Sequence, residues 1–87
     1  MNFIKEKNRI YSINSEGQVI AEIVFVEEKK GVFNIRHTFV DKSLRGQGIA
    51  SKLVEEAVKE IKRQSGSIEA SCSYAKKWLE KNDINNL

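Results

Sequence analysis

Six consecutive residues, Arg45-Gly46-Gln47-Gly48-Ile49-Ala50, carry the clearest chemical signal in the chain. Two glycines separated by one residue let backbone come close to a ligand, because no side chain intervenes. The turn leaves an apolar stretch that ends near Val40 and runs into an amphipathic one. A helix that begins there has first N–H groups with no partner inside it, and its dipole adds partial positive charge at that end. Strand, glycine turn and helix N-terminus together make an anion cradle, and the pyrophosphate of a cofactor suits it. The spacing differs from the dinucleotide fingerprint G-x-G-x-x-G, and the Lys-Ser/Thr ending of a P-loop is absent. A tight strand-to-helix connection with no ligand is the other reading of the same residues.

Three more residue types bear on chemistry. Cys72 is the single cysteine; it closes a short strand and directly precedes a helix start, a place that lowers a thiol's pKa. It reads as a nucleophile, a pocket-lining group or a small buried hydrophobe. His37 is the single histidine and falls near the end of a strand, about where that strand meets the one ending in Cys72. Imidazole titrates near neutrality, so it reads as a base or as a hydrogen-bonded strand residue. Tyr74 offers a phenolic proton or a packing surface. Trp78 reads as core. Lys76 and Lys77 suit either phosphates or a solvated helix face.

The elements that must position these residues follow from the pattern. Residues 8–13 read as a strand, and Asn14-Ser15-Glu16-Gly17 reads as a turn. Gln18 to Glu27 forms a central strand, with Ile20, Val24 and Val26 on the face opposite Phe25. After the turn Glu28-Lys29-Lys30-Gly31, Val32 to Val40 places Val32, Asn34, Arg36 and Thr38 on one face and Phe33, Ile35, His37 and Phe39 on the other. A helix runs from about Gly48 to Gln64, with Ile49, Leu53, Ala57 and Ile61 beside Ala50, Val54 and Val58 as its buried stripe. Gly66 is expected to end it in the left-handed conformation. Ser67 to Ser71 then pairs parallel with the third strand. A last helix, N-capped by Ser73, turns Ala75, Trp78 and Leu79 inward, and the polar tail from Asn82 is expected to fray. The fold class is α+β: a twisted, mostly antiparallel four-stranded sheet with one parallel pair, one long helix packed on it and a short C-terminal helix.

At 87 residues the chain has room for one domain, residues 1–87. No apolar run approaches the roughly 20 residues of a membrane span, and the first residues lack a signal-peptide core, so a cytoplasmic protein is expected. One cysteine and one histidine are too few for a zinc site of the usual kind, and no metal is expected. The net charge of +3 is spread among mixed signs, as in Lys5-Glu6-Lys7 and Glu55-Glu56 beside Lys59, which argues against nucleic acid as the main ligand. Phe3, Ile4 and Trp78 leave a monomer or a weak homodimer as the expected state.

Arg45-Gly46-Gln47-Gly48-Ile49-Ala50 matches the Q/R-x-x-G-x-G/A motif of the GCN5-related N-acetyltransferase superfamily. Across essentially its whole length the chain resembles the small single-domain YjdJ-type acetyltransferases of that superfamily. His37-Thr38 before the loop and Cys72-Ser73-Tyr74 before a Lys/Leu-rich helix carry that narrower likeness. The resemblance implies acetyl-coenzyme A as donor and an amine as acceptor. It implies that backbone around Phe39 and Val40 holds the pantetheine arm, and that Arg45 to Ala50 cradle the pyrophosphate. Cys72 and His37 become the candidate catalytic pair, facing each other across neighbouring strands. Tyr74 becomes a cofactor contact or a proton donor to the leaving thiolate. There are two departures. Larger members have substrate-binding helices between the first two strands, where this chain has a short turn. Many close relatives carry an acidic residue where Phe39 stands, so that carboxylate base is missing. A non-catalytic coenzyme A-binding module or sensor is the alternative.

Overall fold

The structure is a computed structural model and describes residues 1–82; beyond Asn82 the expected fraying of the tail lies outside the described residues. The strands are β1 (Ile4–Lys5), β2 (Arg9–Ile13), β3 (Val19–Lys29), β4 (Val32–Val40) and β5 (Ser67–Ala70). They form one sheet in chain order, antiparallel except for the parallel β4–β5 pair. A 3-10 turn at Lys42–Leu44, helix α1 (Ile49–Arg63) and helix α2 (Ser73–Lys81) complete the described chain. The sheet has one strand more than expected. β1 is two residues long, too short to show alternation, and it is held by pairing Ile4 with Tyr11 and Lys5 with Ile10.

The first hairpin is built by its turn residues. Asn14 Oδ1 accepts from the N–H groups of Glu16 and Gln18 at 2.9 and 3.0 Å, a local bond that holds the chain in the turn. On the inner face of the sheet Ile10, Ala21, Ile23, Phe25, Phe33 and Ile35 are buried. They meet Leu53, Val54, Ala57, Val58 and Ile61 from the expected stripe of α1, and Ala75 and Leu79 from α2. Both helices therefore cover one face. Burying a side chain of this size contributes about 1.5–3 kcal/mol, so this single layer contact carries most of the stability.

Two expectations at helix ends change. Ser65, not Gly66, is the left-handed residue after α1, with φ of 59°. Gly66 is needed for space: a Cβ there would stand 2.6 Å from the Phe33 ring. At α2 the N-cap is Cys72, and Ser73 is the first helical residue.

The largest correction concerns β4. Val24 pairs with His37 but Phe25 pairs with Ile35, so Arg36 is an extra residue, a β-bulge. Past a bulge the side chains exchange faces. Phe33 and Ile35 point into the core. Beyond Arg36 it is Thr38 and Val40 that share the inner face with their partners Ile23 and Ala21. His37 and Phe39 turn to the outer face, with their partners Val24 and Glu22.

Candidate functional site

The same bulge opens a cleft. β5 pairs with β4 only from Val32 to Ile35. The N–H groups of Ser71 and Cys72 both donate to Ile35 O at 3.1 Å, and there the strands part. Asn34, buried, pins the fork by donating to Ser71 Oγ at 3.0 Å and to Glu28 Oε2 at 3.0 Å. Asp41 N–H donates to Ile20 O at 2.8 Å, so Asp41, Phe39 and His37 turn their backbone groups toward β3. By alternation Thr38 and Val40 turn theirs to the other side, where β5 has departed. Their N–H and C=O groups have no strand partner among the described residues. An extended ligand meeting them would bond as an added strand does.

The cradle lies at the end of β4. Asp41 accepts from Ser43 N–H at 3.0 Å and Ser43 Oγ at 2.6 Å, which fixes the chain before the turn. Those bonds, with Arg45 and Lys42 nearby, hold its carboxyl below the ordinary carboxylate range against a small opposing effect of burial. Gly46 and Gly48 then take φ of 83° and 74°, conformations that favour glycine. Gly48 is the N-cap of α1 and supplies no side-chain cap. Lys52 N–H is the first amide to close a helical bond, to Gly48 O at 3.1 Å. Among the described residues the amides from Gly46 to Ser51 have no backbone or side-chain acceptor. Such convergent N–H groups at a helix start attract an anion.

A groove of about 240 Å³ lies in front of them, lined by Val40, Leu44, Arg45, Gly46, Gly48, Ile49, Ala50, Ser51 and Tyr74. Gln47 and Phe39, expected as cofactor contacts, do not line it. A larger hollow of about 560 Å³ follows the outer edge of β5. It shares no lining residue with the groove, and Glu28, Glu69 and Glu80 make it a poor place for an anion. The unpartnered amides, not the volume, mark the site.

Cys72 stands at the fork. Its Sγ is 3.5 Å from Thr38 Oγ1. Partial burial raises the thiol's pKa, but the N–H of Ala75, the Thr38 hydroxyl and the N–H groups of Tyr74 and Thr38 outweigh it, and the net shift is downward. The thiol closes no formal cap hydrogen bond, so these amides act on it by proximity. His37 is not brought to Cys72. The bulge turns its imidazole to the outer face, while the thiol meets Thr38 on the inner one. Sequence reasoning noted Thr38 only as the neighbour of His37, because unbroken alternation put it on the wrong face. Among the described residues no group of three or more His, Cys, Asp and Glu side chains suits a metal ion, and no helix is long and apolar enough to cross a membrane.

The family profile described as GCN5-related N-acetyl-transferase matches residues 10–86. The chain belongs to that family. Within it, the chain is similar to the solution structure of a Staphylococcus aureus protein described as a GCN5-like N-acetyltransferase. The identity is 34% and the TM-score 0.79, over 98% of this chain and 83% of that one. It is also similar to a family N-acetyltransferase from Escherichia coli solved in complex with CoA: 26% identity, TM-score 0.58, 71% of this chain and 38% of that one. A Bacillus anthracis protein described as a streptothricin acetyltransferase, solved with acetyl coenzyme A, shares 25% identity over 90% of this chain and 49% of its own, with a TM-score of 0.62. The chain thus spans most of the first relative and half or less of the other two. No curated protein sequence matches it.

Proposed function

We propose that the protein is an acetyltransferase that takes an acetyl group from acetyl-coenzyme A and passes it to an amine. The observation that carries this reading is the run of unpartnered amides from Gly46 to Ser51, opening on a groove that Val40 and Tyr74 also line. The residues fit the group. The cradle amides and the exposed Arg45 would hold the pyrophosphate. Thr38 and Val40 would hold the amides of the pantetheine arm, which leads toward the fork and Cys72. Family membership and the relatives solved with CoA and acetyl coenzyme A support the same donor.

When bound, the donor supplies an activated thioester. Cys72 is the nucleophile we assign. As thiolate it attacks the acetyl carbon, its new C–S bond forms as the donor's breaks, and the released thiolate takes a proton from Tyr74 or water. A neutral amine then attacks the Cys72 ester, and Cys72 leaves as thiolate. Water takes the proton the amine sheds, because the bulge turns His37 to the outer face, away from the fork. Direct attack of the amine on the donor is the competing route. The lowered pKa of Cys72 and the absence of a carboxylate at Phe39 favour the first. A second reading, a binding module without turnover, draws on the outer face of the sheet, which no described helix covers.

The test is intact mass after mixing with acetyl-coenzyme A. Wild type is expected to gain one acetyl group at Cys72 and to lose it when an amine is added; Cys72→Ala is expected to gain none and to transfer at least 100-fold more slowly. A fully active Cys72→Ala variant removes the covalent route. Tight coenzyme A binding with no product across a broad amine panel selects the binding module.

A further inference from the structure

β5 is an edge strand: β4 pairs with one side of it, and no described strand pairs with the other. Its backbone groups divide between the two sides. Ser67 N–H donates to Gly31 O at 2.7 Å and Ser71 N–H to Ile35 O at 3.1 Å, both toward β4. By alternation Glu69 faces β4 with them, and Ile68 and Ala70 turn their N–H and C=O groups outward. The hollow of about 560 Å³ follows that edge, and Ile68 and Ala70 line it. Its two walls differ. Ile68, Ala70 and Leu79 make an apolar wall packed into the core. The other wall carries Glu69, its partner Asn34, and Glu28, which accepts from Asn34 Nδ2 at 3.0 Å. Asn34 is only 7% exposed. Its Nδ2 is spent on Glu28 and Ser71, while its Oδ1 accepts from no described residue and is not sealed from the hollow. Glu69 and Glu80 form no ion pair among the described residues.

We propose that the edge of β5 docks an extended basic segment of a partner protein, which adds to the sheet as a further strand. The outward groups of Ile68 and Ala70 bond its backbone, as an exposed sheet edge bonds any added strand. Side chains of that strand alternate between the two walls. One set meets Ile68, Ala70 and Leu79, and the other meets Glu28, Glu69 and the free Asn34 Oδ1. The segment that fits therefore alternates apolar residues with lysine or arginine. Charge decides the sign. Glu28, Glu69 and Glu80 stand on the lining against one Lys76, so an acidic segment is repelled. A buried acceptor without a donor calls for an N–H in the same place. β5 carries no lysine, proline or bulge, the usual guards of a bare edge. Its length of roughly 13 Å takes about four to six residues of partner. The proposal stands apart from the donor reading, because the hollow shares no lining residue with the cradle groove.

Calorimetric titration of the full chain with capped hexapeptides, in the absence of coenzyme A, tests it. One peptide alternates lysine with valine, and a second alternates glutamate with valine. A third is the lysine peptide N-methylated at every residue, which keeps its charge and removes its strand donors. Wild type is expected to bind the lysine peptide about tenfold more tightly than either of the others, or by a wider margin. Glu69→Gln/Glu80→Gln is expected to weaken that binding about tenfold, the size of two exposed charge pairs; both positions are exposed, so the fold is kept. Ala70→Pro removes an outward N–H and no ladder bond, and is expected to abolish binding. Should that variant fail to fold, the methylated peptide still reads the backbone contribution. No binding of the lysine peptide, or equal binding of the glutamate or methylated peptide, overturns the proposal. So does spermidine bound as tightly as the lysine peptide, which reassigns the hollow to a free polyamine. A dimer of this chain that Glu69→Gln/Glu80→Gln or Ala70→Pro dissolves reassigns the edge to a second copy and overturns it as well. In each case the response of the cradle to coenzyme A stands, and loss of that response leaves the docking edge untouched.

Discussion

At the scale of single residues, Cys72 gathers most of the chemistry. It is the only thiol in the chain, so a thiol reagent reads one site. Its pKa lies below that of an ordinary cysteine because nearby amides and the Thr38 hydroxyl overcome the effect of burial. The reactive form is the thiolate, so the alkylation rate rises with pH and levels off above the pKa. The iodoacetamide profile of the folded protein is therefore expected to have its midpoint below that of the urea-unfolded chain. Thr38→Val keeps the shape and removes the hydroxyl 3.5 Å from Sγ, and is expected to move the midpoint back up. A folded midpoint at or above the unfolded one shows that burial prevails and takes away the electrostatic case for a nucleophile. Phe39 teaches the opposite lesson at this scale. The residue is 37% exposed and lies on the outer face, and only the neighbouring Thr38 and Val40 offer backbone to the cleft.

At the scale of elements, the turn from α1 to β5 shows how two adjacent small residues divide a task. Gly66→Ala places a Cβ 2.6–2.7 Å from the Phe33 ring and 3.0 Å from Ile61 Cγ2. Overpacking of this kind costs about 1–3 kcal/mol, which urea unfolding would register as a lower midpoint at unchanged slope. Ser65→Gly relieves a left-handed residue and is expected to raise stability by about 0.5–1 kcal/mol. A neutral Gly66→Ala beside a destabilising Ser65→Gly would reverse the assignment. Much of the element layer was legible: the two hairpins, the long helix with its stripe, the parallel fourth pairing and the glycine turn all follow from apolar period and turn residues. The bulge at Arg36 was not. It adds one residue without altering composition, and it flips every side chain beyond it. That is why the cradle could be read from Arg45 to Ala50, while the partner of Cys72 had to be found in three dimensions as Thr38 rather than His37. β1 escaped notice for a plainer reason, since Ile4 and Lys5 carry no pattern of their own.

At the scale of the whole molecule, the groove exists only in the folded state. Its walls come from one continuous stretch, the end of β4, the turn and the first turn of α1, and from Tyr74 at the start of α2, which only folding brings beside it. One core joins all of them, with Ile35 from β4, Leu53 from α1 and Ala75 from α2 buried together. A ligand of the groove thus binds the folded chain and not the unfolded one, and must stabilise it by mass action. Coenzyme A at 100 times its dissociation constant is expected to add about 2.7 kcal/mol. In a domain of this size each kcal/mol raises Tm by roughly 4–8 °C, so the melting curve should move up by about 10–20 °C. Gly48→Ala forces a side chain into φ of 74° at the cradle and is expected to lower Tm and also weaken this response. The two effects separate cleanly, because the first appears without ligand and the second only on titration. A melting temperature that ignores coenzyme A at saturating concentration would mean that the unpartnered amides from Gly46 to Ser51 hold no phosphate, and the groove would lose its role as the donor site.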